Sequence, residues 1–380
     1  PPRYDLAMRI LTPKDAGRIQ LLDKRGSRAR VAIRADRAAP EHRQWFSFVA
    51  RGVGGDACEF TIANAGRCTY GDAWEDYRVC ASYDGEDWFR VPTEFDGEAL
   101  RFFHEPQRDA VMYAYFAPYP RVRRQALLAQ AVASGRARAS RLGESVQGQA
   151  MHLLTFGQGE RKLWIVGQQH PGESMAGWFM EGVTLRLLDA EDEVANDLRE
   201  RATIHLVLSM NPDGHVLGNH RTNAAGLDLN RAWFDGSETD APEVFGVRKA
   251  MYERGCDFFL DAHGDEHVPY VFLAGAEGNP HYNDRIEALE EYFENAMLDA
   301  SGDFQTEEGY PKDAPGKGDL RCAGNYVGEA FDCLSMTLEM PFKDNANAPD
   351  EERGWNPDRC RGLAASTLEA VHATVEALRD

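Results

Sequence analysis

The sequence lacks any uninterrupted apolar run that could cross a bilayer, for which a helix needs about 20 such residues. Residues 1–5 also lack the apolar segment of a secretory signal. Neither an internal repeat nor a low-complexity tract is present, which argues against a fibrous or repeat architecture. We therefore expect a cytoplasmic protein that has no membrane partner.

Cysteine is scarce and irregularly spaced. The 7 cysteines are an odd number and include no Cys-x-x-Cys pair. We interpret most of them as reduced thiols of a cytoplasmic protein. Only Cys58, Cys68 and Cys80 are candidates for a disulfide.

Positive charge is also in deficit. The formal net charge of -20 at pH 7 produces a summed field that repels polyphosphate. Nucleic acid is therefore not an expected partner, and neither is an anionic membrane. A basic cluster at residues 121–124, continued by Arg136 and Arg138, is a local exception. We interpret it as a solvated helix face or a linker, because no aromatic residues are interleaved with it.

The composition is that of a soluble globular protein, with 43% hydrophobic and 27% charged residues. A chain of 380 residues exceeds the usual size of one hydrophobic core, so two domains are the starting hypothesis. A single large domain is the alternative.

From the start to residue 118 the hydrophobic pattern is short and two-periodic, and turn residues follow each run. Asp84-Gly85 lies between two such runs and is a hairpin signal. Short strands with turns at these intervals predict an antiparallel β-sandwich over residues 1–118. The runs include residues 29–35, 44–50, 59–63, 77–82 and 111–116.

After residue 118 the pattern changes to apolar runs that alternate with amphipathic stretches. This predicts an α/β domain over residues 119–380, in which a mixed central sheet is covered on both faces. Strands are expected at residues 163–166, 204–208, 258–260 and 334–340, and a long loop at residues 309–328. Helices are expected near residues 124–133, 174–188, 242–254, 283–300 and 358–378.

The most informative motif is His170-Pro171-Gly172-Glu173, which follows a predicted strand and precedes a predicted helix. Open α/β sheets place their ligands at the carboxyl ends of the strands. An imidazole and a carboxylate on such a turn can both face one zinc ion. Alone, the His-x-x-Glu pattern is weak, because an ordinary surface turn also produces it.

A third candidate ligand, His263, ends another apolar strand. Two histidines and one glutamate leave the fourth position of a zinc ion open to water, as a catalytic zinc requires. An isolated histidine here would more simply be bonded to the backbone. Asp261 before it and Gly264 after it favour the ligand.

A carboxylate, Glu339, lies among apolar neighbours at the end of a third strand. Burying such a charge without a partner is costly, so a metal, a cation or a raised pKa is expected. Those surroundings suit a general base. A strand-end glutamate that reaches solvent is the alternative.

Two arginines, Arg221 and Arg231, lie between these motifs, after a stretch at residues 211–214 that predicts a turn. A guanidinium near a zinc site can hold a carboxylate through two hydrogen bonds and can stabilise an oxyanion. Surface salt bridging is the alternative for each.

Six motifs in this order resemble the zinc metallocarboxypeptidases of the carboxypeptidase A superfamily, peptidase family M14. Within it they resemble the cytosolic carboxypeptidase-like subfamily, which is related to the tubulin deglutamylases. Residues 113–120 resemble the segment that joins the N-terminal β-domain of this subfamily to its catalytic domain. The motifs are residues 170–173, 211–214, 218–221, 228–231, 261–264 and 337–339.

The resemblance implies one Zn2+ per chain, bound by His170, Glu173 and His263. It also implies that Glu339 acts as the general base. Asp228 is expected to hydrogen-bond His170, which would fix the imidazole tautomer.

The resemblance also implies a substrate, the C-terminus of a peptide or protein. Arg221 would polarise the scissile carbonyl, while Asn230 and Arg231 would bind the terminal carboxylate. Relatives that remove C-terminal glutamate need a cation for that side chain. Arg321 is the leading candidate for it, with Lys317 behind.

Two departures affect the rim of the site. Asp265-Glu266 replaces a His-Ser pair that is common in eukaryotic relatives. The mobile tyrosine of digestive carboxypeptidases has no assigned counterpart, because Tyr310 and Tyr326 lie in a loop that the motifs do not align. A related zinc amidohydrolase of small N-acyl amino acids is the alternative enzyme. An inactive zinc-containing binding protein is the other alternative, and the presence of Glu339 argues against it.

Overall fold

The computed structural model describes residues 8–379, so the expected absence of a secretory signal at residues 1–5 concerns residues outside the described range. The strands of the first 115 residues form two sheets. They are β1 (Arg9–Leu11), β2 (Ile19–Arg25), β3 (Arg28–Ile33), β4 (Ser47–Arg51), β5 (Cys58–Ile62), β6 (Cys80–Ser82), β7 (Trp88–Arg90), β8 (Thr93–Phe95), β9 (Leu100–His104) and β10 (Ala110–Ala114).

These strands form the predicted β-sandwich. One sheet has the order β1-β4-β10-β6-β7 and the other has the order β2-β3-β5-β9-β8. Aromatic side chains from both sheets meet between them, as in the pair Phe60 and Tyr113, whose ring centroids are 4.8 Å apart. The predicted hairpin at Asp84-Gly85 is confirmed, because β6 and β7 pair antiparallel around it.

One pair of strands departs from the predicted antiparallel pattern. Strands β3 and β5 run parallel, with Ala29 opposite Phe60. The chain leaves this sheet after β3, forms β4 in the other sheet, and returns as β5. It therefore re-enters in the same direction, which a hairpin does not allow.

The rest of the chain forms a seven-stranded sheet with helices around it. Its elements are α1 (Arg121–Ala133), β11 (Ala137–Glu144), β12 (Ala150–Phe156), β13 (Arg161–Gly167), α2 (Met175–Leu188), α3 (Glu193–Arg201), β14 (Ala202–Val207), α4 (Pro212–Leu217), α5 (Pro242–Arg254), β15 (Phe258–Asp265), β16 (Phe272–Ala274), α6 (Asp284–Ala300), α7 (Ala323–Phe331), β17 (Leu334–Pro341) and α8 (Pro357–Thr374). The strand order is β11-β12-β14-β13-β15-β17-β16.

The sheet is mixed and covered on both faces, as predicted. Neighbouring strands among β14, β13, β15 and β17 pair parallel, whereas the outer pairs are antiparallel. Along β13, Leu163 and Ile165 belong to the apolar cluster that includes residues of α2, α6 and α8. Trp164 and Val166 point the other way, into the cluster that includes residues of α5 and α7. This alternation explains why the strand reads as continuously apolar.

Two local predictions were wrong. Residues 211–214 do not form an isolated turn but begin α4, in which the Asn211 side chain accepts a hydrogen bond from the Gly214 N–H. Pro and Asn are equally suited to the first positions of a helix, so the turn signal was ambiguous. The predicted loop at residues 309–328 ends earlier, because α7 begins at Ala323.

All seven cysteines lie within the described range, and none of them is disulfide-bonded there. The candidates Cys58, Cys68 and Cys80 are buried as free thiols. Of the helices in residues 8–379, none has the length and apolar character that a membrane crossing requires.

The sandwich packs on the α/β part through an aromatic stack and several hydrogen bonds. Tyr115 stacks on Phe342 with ring centroids 4.2 Å apart. Arg90 of β7 donates hydrogen bonds from Nη2 to the carbonyl oxygens of Phe342 and Trp355. The division into domains at residues 118 and 119 stays a prediction. The structure ends β10 at Ala114 and begins α1 at Arg121.

Candidate metal centre and cavity

The candidate ligands and the candidate base lie at the carboxyl ends of three adjacent parallel strands. His170 and Glu173 follow β13, His263 lies in β15, and Glu339 in β17 is the direct neighbour of His263 across the two strands. Gln168, just after β13, has a φ of 55°, a left-handed conformation that non-glycine residues seldom adopt. Such backbone strain is concentrated at functional sites.

His170, Glu173 and His263 converge in the structure as the motif predicted. One donor atom from each lies within 4.8 Å of the others, and all three residues are buried. His170 Nδ1 is 2.6 Å from Glu173 Oε1, and His263 Nδ1 is 2.8 Å from Glu173 Oε2. The two Nδ1 atoms are 3.2 Å apart.

The outer nitrogen of each imidazole bonds to a carboxylate. His170 Nε2 is 2.9 Å from Asp228 Oδ1, so the contact predicted from the resemblance is present. His263 Nε2 is 2.7 Å from Asp261 Oδ2. These carboxylates favour the tautomer that carries its hydrogen on Nε2, and in that tautomer both Nδ1 lone pairs face Glu173, as metal ligands require.

This donor set fits a zinc ion. Two inward lone pairs and a carboxylate repel one another unless a cation lies between them. Two ligands each ~2.1 Å from zinc at a tetrahedral angle are ~3.4 Å apart, slightly more than the separations of the three donors. Two imidazoles and one carboxylate are also a set that catalytic zinc sites use.

The charges around the centre balance only with an added cation. Burial alone would raise the pKa of Glu173, but the His170 and His263 imidazoles outweigh it and lower that pKa. Burial would lower the pKa of His263, whereas the Asp261 and Glu173 carboxylates hold it well above its ordinary value. Three carboxylates and the Arg221 guanidinium thus surround two imidazoles, and with neutral imidazoles the two remaining negative charges match one divalent cation.

Glu339 lies beside this centre with one free carboxylate oxygen. Burial raises its pKa, His263 opposes that shift, and the Glu173 and Asp265 carboxylates reinforce it. Within the described residues, Glu339 Oε2 is buried and has no hydrogen-bond partner. The other oxygen is 3.3 Å from the Tyr310 hydroxyl, which also donates to Asp265 Oδ2 at 2.6 Å.

Arg221 reaches the centre through Asp228. The Arg221 Nε donates to Asp228 Oδ2 at 2.7 Å, so one carboxylate contacts both a candidate ligand and this guanidinium. Arg221 Nη1 donates to the Tyr70 hydroxyl at 2.8 Å. The Arg221 side chain is only 13% exposed.

Asn230 and Arg231 lie on the wall of the same cavity. Asn230 Oδ1 accepts a hydrogen bond from the Ala323 N–H, which leaves its Nδ2 group as the donor available to a ligand. The Arg231 side chain is 40% exposed and its Nε is 4.0 Å from Asp319. Its Nη1 donates to the Asn230 carbonyl oxygen at 2.7 Å, which leaves its Nε and Nη2 groups for a ligand.

The cavity has a volume of about 820 Å³ and opens above His170, Glu173, His263 and Glu339. Its wall carries several more carboxylates, including Glu277 and Glu294, and a single lysine, Lys312, among the residues that the structure describes. Lys312 Nζ is 2.7 Å from Glu277 Oε1.

Arg321, the cation predicted for substrate specificity, is not brought to the cavity. Its Nε and Nη2 donate to the Asp319 carboxylate at 2.9 and 2.8 Å, and its side chain is 58% exposed. Asp319 lies only two residues away and binds the guanidinium locally. Lys317 is also absent from the cavity wall.

Four residues at the site were not assigned a role from the sequence. Asp261 could have been found, because residues two apart on a strand share one face and it precedes His263 by two. Tyr310 lies in a loop without a pattern. Tyr70 and Lys312 carry no local signal, since their partners at the site are remote in sequence.

Comparison with known proteins agrees with this geometry. Residues 126–354 match the family model described as zinc carboxypeptidase, and residues 10–116 match the cytosolic carboxypeptidase N-terminal domain. The chain is 38% identical to an uncharacterized protein of Zymomonas mobilis over 98% of both chains. It is 27% identical to cytosolic carboxypeptidase 6 of Mus musculus, covering 82% of this chain and 62% of that protein.

Solved structures agree with the sequence relatives. A metallo-carboxypeptidase from Burkholderia cenocepacia superposes with a TM-score of 0.93 and 44% identity, over 98% of this chain and 99% of that chain. A metallo-carboxypeptidase from Pseudomonas aeruginosa, in complex with (2-guanidinoethylmercapto)succinic acid, gives the same TM-score and identity over 98% and 100%. The predicted resemblance is confirmed: the chain belongs to the zinc carboxypeptidase family and is a metallo-carboxypeptidase, a hydrolase of peptides.

Proposed function

We propose that this protein removes the C-terminal residue of peptides or proteins with one zinc ion per chain, bound by His170, Glu173 and His263. The observation that carries the proposal is the pair of Nδ1 atoms facing Glu173, beside the free oxygen of Glu339. Zinc in such a site supplies a water of lowered pKa and polarises a carbonyl group.

Glu339 moves the proton in this proposal. Its carboxylate takes a proton from the attacking water and delivers it to the nitrogen of the departing residue as the peptide bond breaks. The free Oε2 suits this role because no protein donor competes for it among the described residues. A pKa raised by burial also makes the carboxylate a stronger base.

Arg221 stabilises the negative charge that develops on the carbonyl oxygen. The buried guanidinium is preorganised by Asp228 and Tyr70, so it needs no rearrangement during the reaction. A donor of this kind contributes about 10²- to 10³-fold to the rate.

Asn230 and Arg231 bind the terminal carboxylate, which confines cleavage to the last residue. The N–H groups of Arg231 that Asn230 does not bind and the Nδ2 group of Asn230 are both available on the cavity wall. The ligand in the Pseudomonas aeruginosa structure is a succinic acid derivative, and its carboxylates have the chemistry expected of such a substrate end.

A preference for C-terminal glutamate is the finer part of the proposal. Lys312 replaces Arg321 as the cation that would meet the glutamate side chain, because Lys312 lines the cavity. A substrate carboxylate would have to compete with Glu277 for it. Peptides that differ only in their last residue test this directly. Faster cleavage of peptides ending in lysine or arginine would assign specificity to the acidic wall instead.

The central test is Glu339→Gln, measured by zinc content and by hydrolysis of a peptide. We expect one zinc per chain, as in the wild type, with hydrolysis reduced by at least about 10²-fold. Glu243→Gln is the matched control, since Glu243 is buried outside the cavity. Unchanged turnover in Glu339→Gln would remove this residue from the mechanism. Activity confined to small N-acyl amino acids would favour an amidohydrolase.

A further inference from the structure

Asp36, in the connection between β3 and β4 of the sandwich, bonds to three consecutive residues of the α/β part. Its Oδ1 accepts from the His220 N–H at 2.5 Å, and its Oδ2 accepts from the N–H groups of Arg221 and Thr222 at 3.0 and 2.8 Å. The Thr222 hydroxyl donates to Oδ2 at 2.9 Å. Asp36 is 3% exposed, so these four donors replace its hydration shell.

The side chain of Arg221 is held by a second residue of the sandwich. Tyr70 accepts a hydrogen bond from Arg221 Nη1, and it lines the cavity. Arg221 is thus fixed at its backbone by Asp36 and at its guanidinium by Tyr70 and Asp228. Two of its three anchors come from the sandwich, more than 150 residues away in sequence.

The segment that Asp36 holds also contacts the candidate metal centre. The carbonyl oxygen of His220 accepts a hydrogen bond from the Gly172 N–H, which lies between His170 and Glu173. A Cβ atom on Gly172 would lie within 3 Å of His220, so this contact is tight. A shift of this backbone toward Gly172 would therefore be blocked by the tight contact. A shift away from Gly172 would strain the hydrogen bonds to Asp36.

We infer that Asp36 is a positioning residue for catalysis, and that the sandwich completes the active site by fixing Arg221. The inference rests on the proposed role of Arg221. Misplacement of a reacting group by 1 Å can cost about 10²-fold in rate. A carboxylate that binds the backbone N–H groups of three consecutive residues fixes the middle residue, here Arg221, far more tightly than one hydrogen bond could.

The test is a double-mutant cycle between Asp36→Asn and Arg221→Ala, with kcat and KM measured for one peptide at saturating zinc. The four donors now share the two carboxylate oxygens of Asp36, whereas an asparagine would offer them only one acceptor oxygen. We expect Asp36→Asn alone, with Arg221 intact, to lower kcat/KM by about 10- to 100-fold. In the Arg221→Ala background it should change kcat/KM by less than about 3-fold, because the group it positions is gone.

Folding is followed by the unfolding temperature and zinc content of each variant. Asp96→Asn is the control for charge loss in the sandwich, since Asp96 accepts from the N–H groups of Glu98 and Ala99 in an exposed turn. It should leave kcat/KM unchanged. Tyr70→Phe is the milder variant if Asp36→Asn is poorly folded, and its effect should also vanish in the Arg221→Ala background.

The outcomes distinguish a failure of this inference from a failure of the proposed function. A loss in Arg221→Ala without a loss in Asp36→Asn overturns this inference and leaves the proposed function intact. An Asp36→Asn effect of equal size in both backgrounds assigns Asp36 to the interface alone and also overturns it. Full activity in Arg221→Ala refutes the proposed role of Arg221, and this inference with it.

Discussion

Replacing Asp228 by asparagine tests how much the site depends on one shared carboxylate. Asp228 Oδ1 meets His170 Nε2 at 2.9 Å, and Oδ2 accepts from Arg221 Nε at 2.7 Å. The asparagine side chain has one oxygen and one N–H₂ group. Its oxygen can accept a hydrogen bond from His170 or from Arg221. Its N–H₂ group then faces the N–H donor of the other residue.

The magnitude depends on which way the amide turns. Each of the two hydrogen bonds involves a charged group, and such bonds contribute about 1.5–3 kcal/mol. Loss of the bond to His170 should weaken zinc binding by about 10- to 100-fold. Loss of the bond to Arg221 should keep zinc bound but lower kcat/KM by up to about 10²- to 10³-fold. Either orientation therefore reduces zinc affinity or kcat/KM by at least about 10-fold.

The assay combines zinc affinity, from competition with a chelator, with kcat/KM at saturating zinc. Asp213→Asn is a matched control, because Asp213 is fully buried and accepts three hydrogen bonds from residues 145–149, outside the cavity. It should cost stability without changing zinc affinity. If Asp228→Asn kept both zinc affinity and kcat/KM within about 3-fold of the wild type, the shared carboxylate would not be needed.

Three further predictions concern the metal, the acid stability and the interface. Chelation of zinc should abolish hydrolysis, and one equivalent per chain should restore it. Burial lowers the pKa of His205 and His215 to about 3, whereas in the unfolded chain each titrates near 6.5, so folding stability should fall as the pH drops below about 6.5. The free energy of unfolding, measured with urea, should fall by about 2 kcal/mol per histidine at pH 5. His205→Gln should remove the contribution of one histidine from this loss. Tyr115→Ala should cost about 3–5 kcal/mol in the same assay, because Tyr115 is fully buried against Phe342.

The sequence predicted the elements that carry the candidate ligands because their strands are buried on both faces. Continuous apolar runs identified β13, β15 and β17, and the polar residues at their ends identified the site. Strand β11 was missed, since five of its eight residues are exposed or partly exposed polar residues or glycine, so it shows no apolar run. An edge strand of this kind is defined by its partner and not by its own composition.

Contacts between remote residues could not be read from the sequence. Asp36 and Tyr70 meet Arg221 only because the sandwich docks on the α/β part, and no local pattern encodes that docking. Arg321 does not reach the cavity for the opposite reason: its guanidinium donates to Asp319, only two residues away. Local competition of this kind decides where a flexible charged side chain points, and one-dimensional spacing does not reveal it.

The pairing of His263 with Glu339 across β15 and β17 has a consequence for how this enzyme can diversify. Neighbouring strands are held about 4.8 Å apart by backbone hydrogen bonds, so the separation of these two side chains is set by the sheet and is independent of loop length. The loops around the mouth can therefore be lengthened, shortened or exchanged to accept new peptides while the reacting groups keep their spacing. Redesign of its substrate range should begin at the segment 305–313, which lines the mouth and lies outside the helices and strands.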